Sequence, residues 1–512
     1  MNLRLAVLMA AWAAGCAGAP GVDAGTGGGS AATGGGSAAT GGGGGSTATG
    51  GGGVTGRELF VATSGDDTNP GTAAAPFRTI NHGVQVAGAS EATTVTVRGG
   101  VYSEKVAITG DGSTSAAPLT LRSAPGELAI IDGTGLAPSG QQGLIDVTSR
   151  SHLTIDGFEL RNFRTSNGNV PVGIQVTGTE DDVTLVRNHV HDIITTNESC
   201  SGAGGNALGI AVYGDRAPQA ITGLTIRDNE LDAMKTGCSE TMTLNGNVDG
   251  FLIEGNRVHD DDNIGIDIIG FEGTAPMAAF DQARNGVIRG NLVWNISSRA
   301  NAAYAGDLAA DGIYVDGGKN VLIERNVVHN ADLGIEVASE HAGRSSSYVL
   351  VRSNLVYFCP QAGLSIGGYA AGVGNADHTV LLNNTLYENA VELQVQFHVT
   401  TTTFQNNLVF NAAGAFLGGA TTGVTLTSNL QRSGSAAALF VGPGAPPDGA
   451  VAVDLNVTAS ASGAVVDQGV AFTACPAGWV CPGAWGADLQ GADDVGGAPR
   501  VTRVIDLGAF ER

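Results

Sequence analysis

The sequence predicts an all-β fold of the solenoid type, in which short parallel strands wind into a single stack of roughly ten or more coils. Three observations predict it. An asparagine recurs at Asn188, Asn229, Asn256, Asn291, Asn326, Asn354, Asn384, Asn407 and Asn429, at intervals of 41, 27, 35, 35, 28, 30, 23 and 22 residues, each with an apolar residue three positions before it. Around these asparagines apolar and polar residues alternate over four or five positions, the period of a strand with one buried face. The composition agrees, with 80 glycines, 5% aromatic and 14% charged residues, as expected of many tight bends and few helices.

Each element then follows in order. Roughly ten residues after each asparagine motif comes a second alternating run: "GIQVTG" at 173, "GIAVYG" at 209, "GIDIIG" at 265, "GIYVDG" at 312, "GIEVAS" at 334 and "GLSIGG" at 363. Each coil therefore carries at least two strands. Stacked coils pair like with like about 4.8 Å apart, so the asparagines form a ladder at a bend, where an amide tolerates a left-handed backbone and bonds its own copies. Their role is structural. His191, His259 and His329 share one repeat position and form a second structural ladder. Folded sequence begins near Arg57, and an amphipathic segment from Thr79 to Val86 predicts a short helix closing the open end of the stack. The repeats run over 151–431, preceded by a cap and first coils at 57–150 and followed by further coils and a cap at 432–512.

The first residues are an address. Arg4 and the apolar run "LAVLMAAWAA" lead through small residues to Cys16, and this resembles a bacterial lipoprotein signal spanning 1–16, with Ala13 where that family usually has leucine. The resemblance implies cleavage before Cys16, its acylation, and anchoring at the outer membrane or cell surface; ordinary secretion is the alternative. Residues 17–56 are almost entirely Gly, Ala, Ser and Thr, a disordered tether with a reach on the order of 35 Å. Cysteine usage fits an oxidising location, with Cys200 pairing Cys238 across stacked coils, Cys475 pairing Cys481 locally, and Cys359 left over in a bend.

The net charge of -23 and pI near 4.6 exclude nucleic acid and anionic membrane surfaces as partners. Only three lysines exist, Lys105, Lys235 and Lys319, which disfavours a highly anionic polysaccharide unless divalent cations bridge it. The membrane enters only through the lipid anchor, and the chain is expected to be a monomer.

"GDDTNPGTAAAPFRTI" followed by "VRGGVY", together with the "GIDIIG", "GIYVDGG" and "GIEVAS" runs, resembles the right-handed parallel β-helix proteins of the pectin-lyase-like superfamily over residues 57–512. The closing Arg500, Asp506, Gly508 and Glu511 look like the choice-of-anchor Q signature. The resemblance implies a right-handed β-helix and leaves the activity open, because the superfamily holds lyases, hydrolases, epimerases and non-enzymes. The polygalacturonase pattern is met only in part. Asp261 and Asp262 resemble its aspartate pair, but Gln361 and Ala362 stand in place of its histidine.

Chemistry is sought in residues the solenoid does not need. In the "GIxV" strands the branched residues face inward, so Asp267, Tyr314 and Glu336 face outward on three successive coils, with Asp316 two positions beyond Tyr314. Asp316 is expected roughly 8 Å from Asp267 and Glu336, and these two about 9.6 Å apart. Such spacing suits inverting glycoside hydrolysis. Tyr314 offers a stacking ring or a proton relay, and Lys319 offers a base for β-elimination if burial lowers its pKa. Asp260, Asp261 and Asp262 are expected to bind Ca²⁺, while Glu272, Glu340 and His341 enrich the region. Two functions follow: a polysaccharide lyase or glycoside hydrolase, or a non-catalytic lipoprotein that binds glycan or matrix. The enzyme predicts a cleft walled by inserts at 196–206, 271–284 and 297–310; the binder predicts a flat face.

Overall fold

The computed structural model describes residues 56–511 apart from 111–113, 198, 201–204, 446–448, 450–452, 473–488 and 501–503. Cys16, the signal and tether, and the Cys475 and Cys481 pairing lie outside the described residues.

Three long parallel sheets run the length of the molecule, so each coil contributes three strands where two were expected at least. One coil reads Arg284–Arg289, Leu292–Ile296, Asp311–Asp316, and the next Lys319–Glu324, Val327–Ala331, Leu333–Ala338. The first sheet runs from Arg57–Val61 to Val424–Thr427, the second from Gly100–Tyr102 to Leu430–Arg432, and the third from Val106–Thr109 to Leu417–Gly418. Their inward positions are Val, Ile and Leu. Ile288, Val293, Ile313, Val315, Ile323, Val328, Ile335 and Val337 from these two coils are at most 1% exposed, each burial stabilising by about 1.5–3 kcal/mol.

The asparagine ladder lies at the bend between the first and second sheets. From Asn188 to Asn407, each backbone N–H and each Nδ2 donates to Oδ1 of the next asparagine at 2.8–3.1 Å. The left-handed backbone sits one residue earlier than expected, at Arg187, Asp228, Gly255, Gly290, Arg325, Ser353, Asn383, Asn406 and Ser428, whose φ values are +53° to +66°. That residue turns the chain, and the asparagine behind it fills the bend with hydrogen bonds. The histidines lie in one register of the second sheet but do not adjoin. Asp232 separates His191 from His259, and Trp294 stacks between His259 and His329.

A helix, Ile80–Ala87, covers the N-terminal end. Thr79 caps it by accepting from His82, and the Glu104 carboxylate accepts the Ile80 and Asn81 N–H groups. A Cβ at Gly83 would lie 2.9 Å from Val61 and 3.1 Å from Val95, so the helix rests directly on the first strands. At the other end, Arg500 is wholly buried and its guanidinium donates to the Gly508 carbonyl at 2.7 Å, while Leu507 and Ala509 pack with Tyr357, Tyr387 and Phe410 against the outer face of the second sheet. Cys200 and Cys238 are joined by a disulfide, and Cys359 is buried with a free thiol.

Candidate functional site

The outer face of the third sheet carries the acids. Strand register sets Thr243, Asp267, Tyr314, Glu336, Ser365 and Gln394 side by side on consecutive coils. Asp267 and Glu336 are thus two coils apart. This face is not open to water as the strand pattern implies: Asp267 is 2%, Asp316 4%, Tyr314 4% and Glu336 8% exposed. Two inserts cover it.

The first insert, residues 297–310, joins the second sheet to the third. Its ends are stapled by Asp332, whose carboxylate accepts from the Ser298, Ala309 and Ala310 N–H groups at 2.9, 3.1 and 3.2 Å and from the Ser297 hydroxyl at 2.7 Å. Asn301 pins its middle, donating to the Gly237 carbonyl at 2.6 Å and the Asp262 carbonyl at 3.1 Å. The second insert follows Ile266–Ile269. Asp281 closes it by accepting from Gly273 and Ala275 N–H groups, and Glu272 then meets Asn245, whose Nδ2 donates to Oε2 at 3.1 Å.

Between the first insert, through Tyr304, Leu308 and Ala309, and the turns of later coils, through Tyr369, Phe397 and Gly419, lies a cavity of ≈ 440 Å³. Tyr304, Tyr314, Tyr369 and Phe397 give it aromatic walls, and Asp311, Glu336 and Glu340 give it acid. None of the described residues that line it is a lysine or arginine. Glu336 is held by the Ser365 hydroxyl at 2.8 Å and by Gln396 Nε2 at 2.6 Å, and its carboxyl faces that of Asp311 at hydrogen-bonding range.

Seven carboxyls form one electrostatic cluster here: Glu240, Asp267, Glu272, Asp311, Asp316, Glu336 and Glu340. Burial raises every one of their pKa values, and mutual repulsion adds to this for Asp267, Asp311 and Asp316, which are held well above the usual carboxylate range. Glu336 is pushed up to about 7, Glu240 and Glu340 to about 8. Within this pair the interaction raises the pKa of Asp311 and lowers that of Glu336, so Asp311 holds its proton more tightly than Glu336 does.

The sequence-predicted residues part company in three dimensions. Tyr314 and Glu336 line the cavity. Asp267 and Asp316 are not among its lining residues; Asp316 joins it through Glu340, whose N–H donates to Asp316 Oδ1 at 2.8 Å. Lys319 is not brought to the acids: it begins a strand of the first sheet, is exposed, and lays its ammonium over the Tyr348 ring. The residue after Gly317 and Gly318 has already turned the corner, so nearness in sequence misleads. Asp260, Asp261 and Asp262 each accept from a different partner. Asp260 accepts from Asn295, Asp261 is buried against the Met234 N–H, and Asp262 accepts from the Thr236 N–H.

Sequence reasoning missed Asp311 and Glu240, and a signal existed. The residue before the "GIxV" glycine is Val172, Leu208, Ile264, Leu333 or Ala362 in other copies and Asp311 in one, and strand register puts Glu240 at the same position. An acid where every neighbouring copy is apolar is the mark of work other than packing.

Comparison with known proteins bears on the fold. The family described as "Right handed beta helix region" matches residues 139–371 and 301–441. The uncharacterized protein YwoF of Bacillus subtilis is 36% identical over 363 residues, covering 69% of this chain and 75% of that protein. Pectate lyase PEL9 of Emericella nidulans is 29% identical over 229 residues, covering 42% of this chain and half of the lyase. Among solved structures, pectate lyase Pel9A matches at 16% identity and a TM-score of 0.47, over 89% of this chain and 96% of that one. The A-module of the Azotobacter vinelandii mannuronan C-5 epimerase AlgE6 matches at 14% identity and a TM-score of 0.48, over 69% of this chain and 89% of that one. With three parallel sheets, a ladder at one bend and a family match over most of the repeats, this chain belongs to the right-handed β-helix family.

Proposed function

We propose that the protein is an extracellular carbohydrate-active enzyme that hydrolyses a glycosidic bond of a neutral polysaccharide, with Glu336 as the proton donor. The observation that carries this reading is the Asp311 and Glu336 carboxyl pair at the wall of an aromatic-lined cavity. A pKa raised by burial keeps Glu336 available as an acid near neutral pH, where an ordinary carboxylic acid has lost its proton. In the step envisaged, the proton moves from Glu336 to the leaving glycosidic oxygen as the bond to the anomeric carbon breaks. Water adds at that carbon, and its proton returns to the pair. Tyr304, Tyr314 and Tyr369 offer ring faces and hydroxyls to the sugar.

Hydrolysis is favoured over β-elimination because elimination needs a base. The lysine or arginine that would serve is missing: Lys319 lies on another sheet and none of the described residues lining the cavity is a lysine or arginine, which also disfavours a uronate substrate. The walled cavity supports an enzyme over a flat glycan-binding lipoprotein. Anchoring through Cys16 at the cell surface, with secretion as the alternative, belongs to the same proposal. The test is incubation of purified protein with a panel of neutral and acidic polysaccharides, following reducing ends for hydrolysis and ultraviolet absorbance for unsaturated sugars. Reducing ends without unsaturation from a neutral glycan are expected; unsaturated product, or silence across the panel, overturns the reading.

A further inference from the structure

Next to the cavity, at the bend from the third sheet to the first, a different constellation converges. Glu272, Asp316 and His341 each bring one ligand atom, all within 4.8 Å of one another. They come from three successive coils: the insert after Ile266–Ile269, the end of Asp311–Asp316, and the turn after Leu333–Ala338. The turn is fixed by its own backbone, since the Glu340 N–H donates to Asp316 Oδ1 at 2.8 Å.

Acids alone would prove little, but polar atoms beside them are buried without partners. Asn245 is 2% exposed and gives its Nδ2 to Glu272, while its Oδ1 has no hydrogen-bond partner. Asp267, also 2% exposed, has no partner for its Oδ1 and feels the charges of both Glu272 and Asp316. His341 Nε2 is buried and unpartnered as well. Buried acceptors left without donors are costly, and here they accompany two carboxylates and an imidazole at ligand spacing.

We infer that Glu272, Asp316 and His341, with Asn245 hydrogen-bonded to Glu272 beside them, form a binding site for one divalent transition-metal ion of the Mn²⁺ or Zn²⁺ class. Calcium and magnesium take oxygen ligands, whereas an imidazole beside carboxylates selects a transition metal. The inference does not depend on the hydrolase reading, because binding is measured without sugar. The full-length chain, stripped with a chelator, is titrated with MnCl₂, ZnCl₂ and CaCl₂ by calorimetry, and the Mn²⁺ complex is examined by electron spin echo for a coordinated imidazole nitrogen. The expected result is one Mn²⁺ or Zn²⁺ per chain, bound more tightly than Ca²⁺, with the nitrogen signal present. His341→Gln is expected to abolish that signal, and both it and Glu272→Gln to weaken binding by about ten-fold or more, with circular dichroism and the unfolding curve unchanged. No Mn²⁺ or Zn²⁺ bound to the parent chain, tighter Ca²⁺ binding, or a nitrogen signal that survives His341→Gln overturns it.

Discussion

Asn326 is fully buried and surrounded by its own kind. It accepts from the backbone and side chain of Asn291 at 3.0 and 2.9 Å, and it donates to Asn354 twice and to the Ile288 carbonyl. Asn326→Ala strands donors on one side and acceptors on the other, and is expected to cost on the order of 3 kcal/mol in chemical denaturation. At Glu336 the consequence is chemical. Its folded pKa is about 7 against an ordinary 4.5, so the proton it donates is present below about 7 and lost above. Glu336→Gln is expected to lower kcat by about 100-fold or more, measured as reducing-end release, with folding intact. The asparagine positions were plain from the sequence; the left-handed residue before each was not, because Arg, Asp, Ser, Asn and Gly all fill it and side-chain type carries no mark of the turn.

At the scale of elements, the strands position the acids and the inserts decide what the acids can do. Repeat spacing gave the register of Asp267, Tyr314 and Glu336 correctly. It could not show that residues 297–310 fold back over them, since that insert has no period and is held by single polar contacts from Asp332 and Asn301. Asn301→Ala is expected to cost about 1–3 kcal/mol and to raise KM with little change in kcat, because it loosens a wall of the cavity and leaves the proton donor in place. Lys319→Ala is expected to leave reducing-end release within about two-fold of the parent, as a surface change outside the cavity should. A collapse of activity in that variant would restore the elimination reading.

The whole molecule folds protons into its interior. Glu180 and Glu336 are raised to about 7 and Glu392 to about 8, each chiefly by burial, from an ordinary 4.5. In the folded chain they keep protons that the unfolded chain releases, so their contribution to stability is complete below about 4.5 and disappears as pH rises through 7 to 8. The unfolding temperature is therefore expected to be higher in mildly acidic than in mildly alkaline buffer, checked by calorimetry across that range. The fold was legible because a solenoid repeats its instructions coil after coil. The site was legible only along the strands, because ladders report which side chains are neighbours and say nothing of what covers them. The most direct test of the central claim is the pH dependence of reducing-end release from a neutral polysaccharide by the parent chain and by Glu336→Gln. Activity in the parent that falls as pH rises through about 7, and is nearly absent in the variant, is the predicted result. A variant as active as the parent, with the same pH profile, would contradict it.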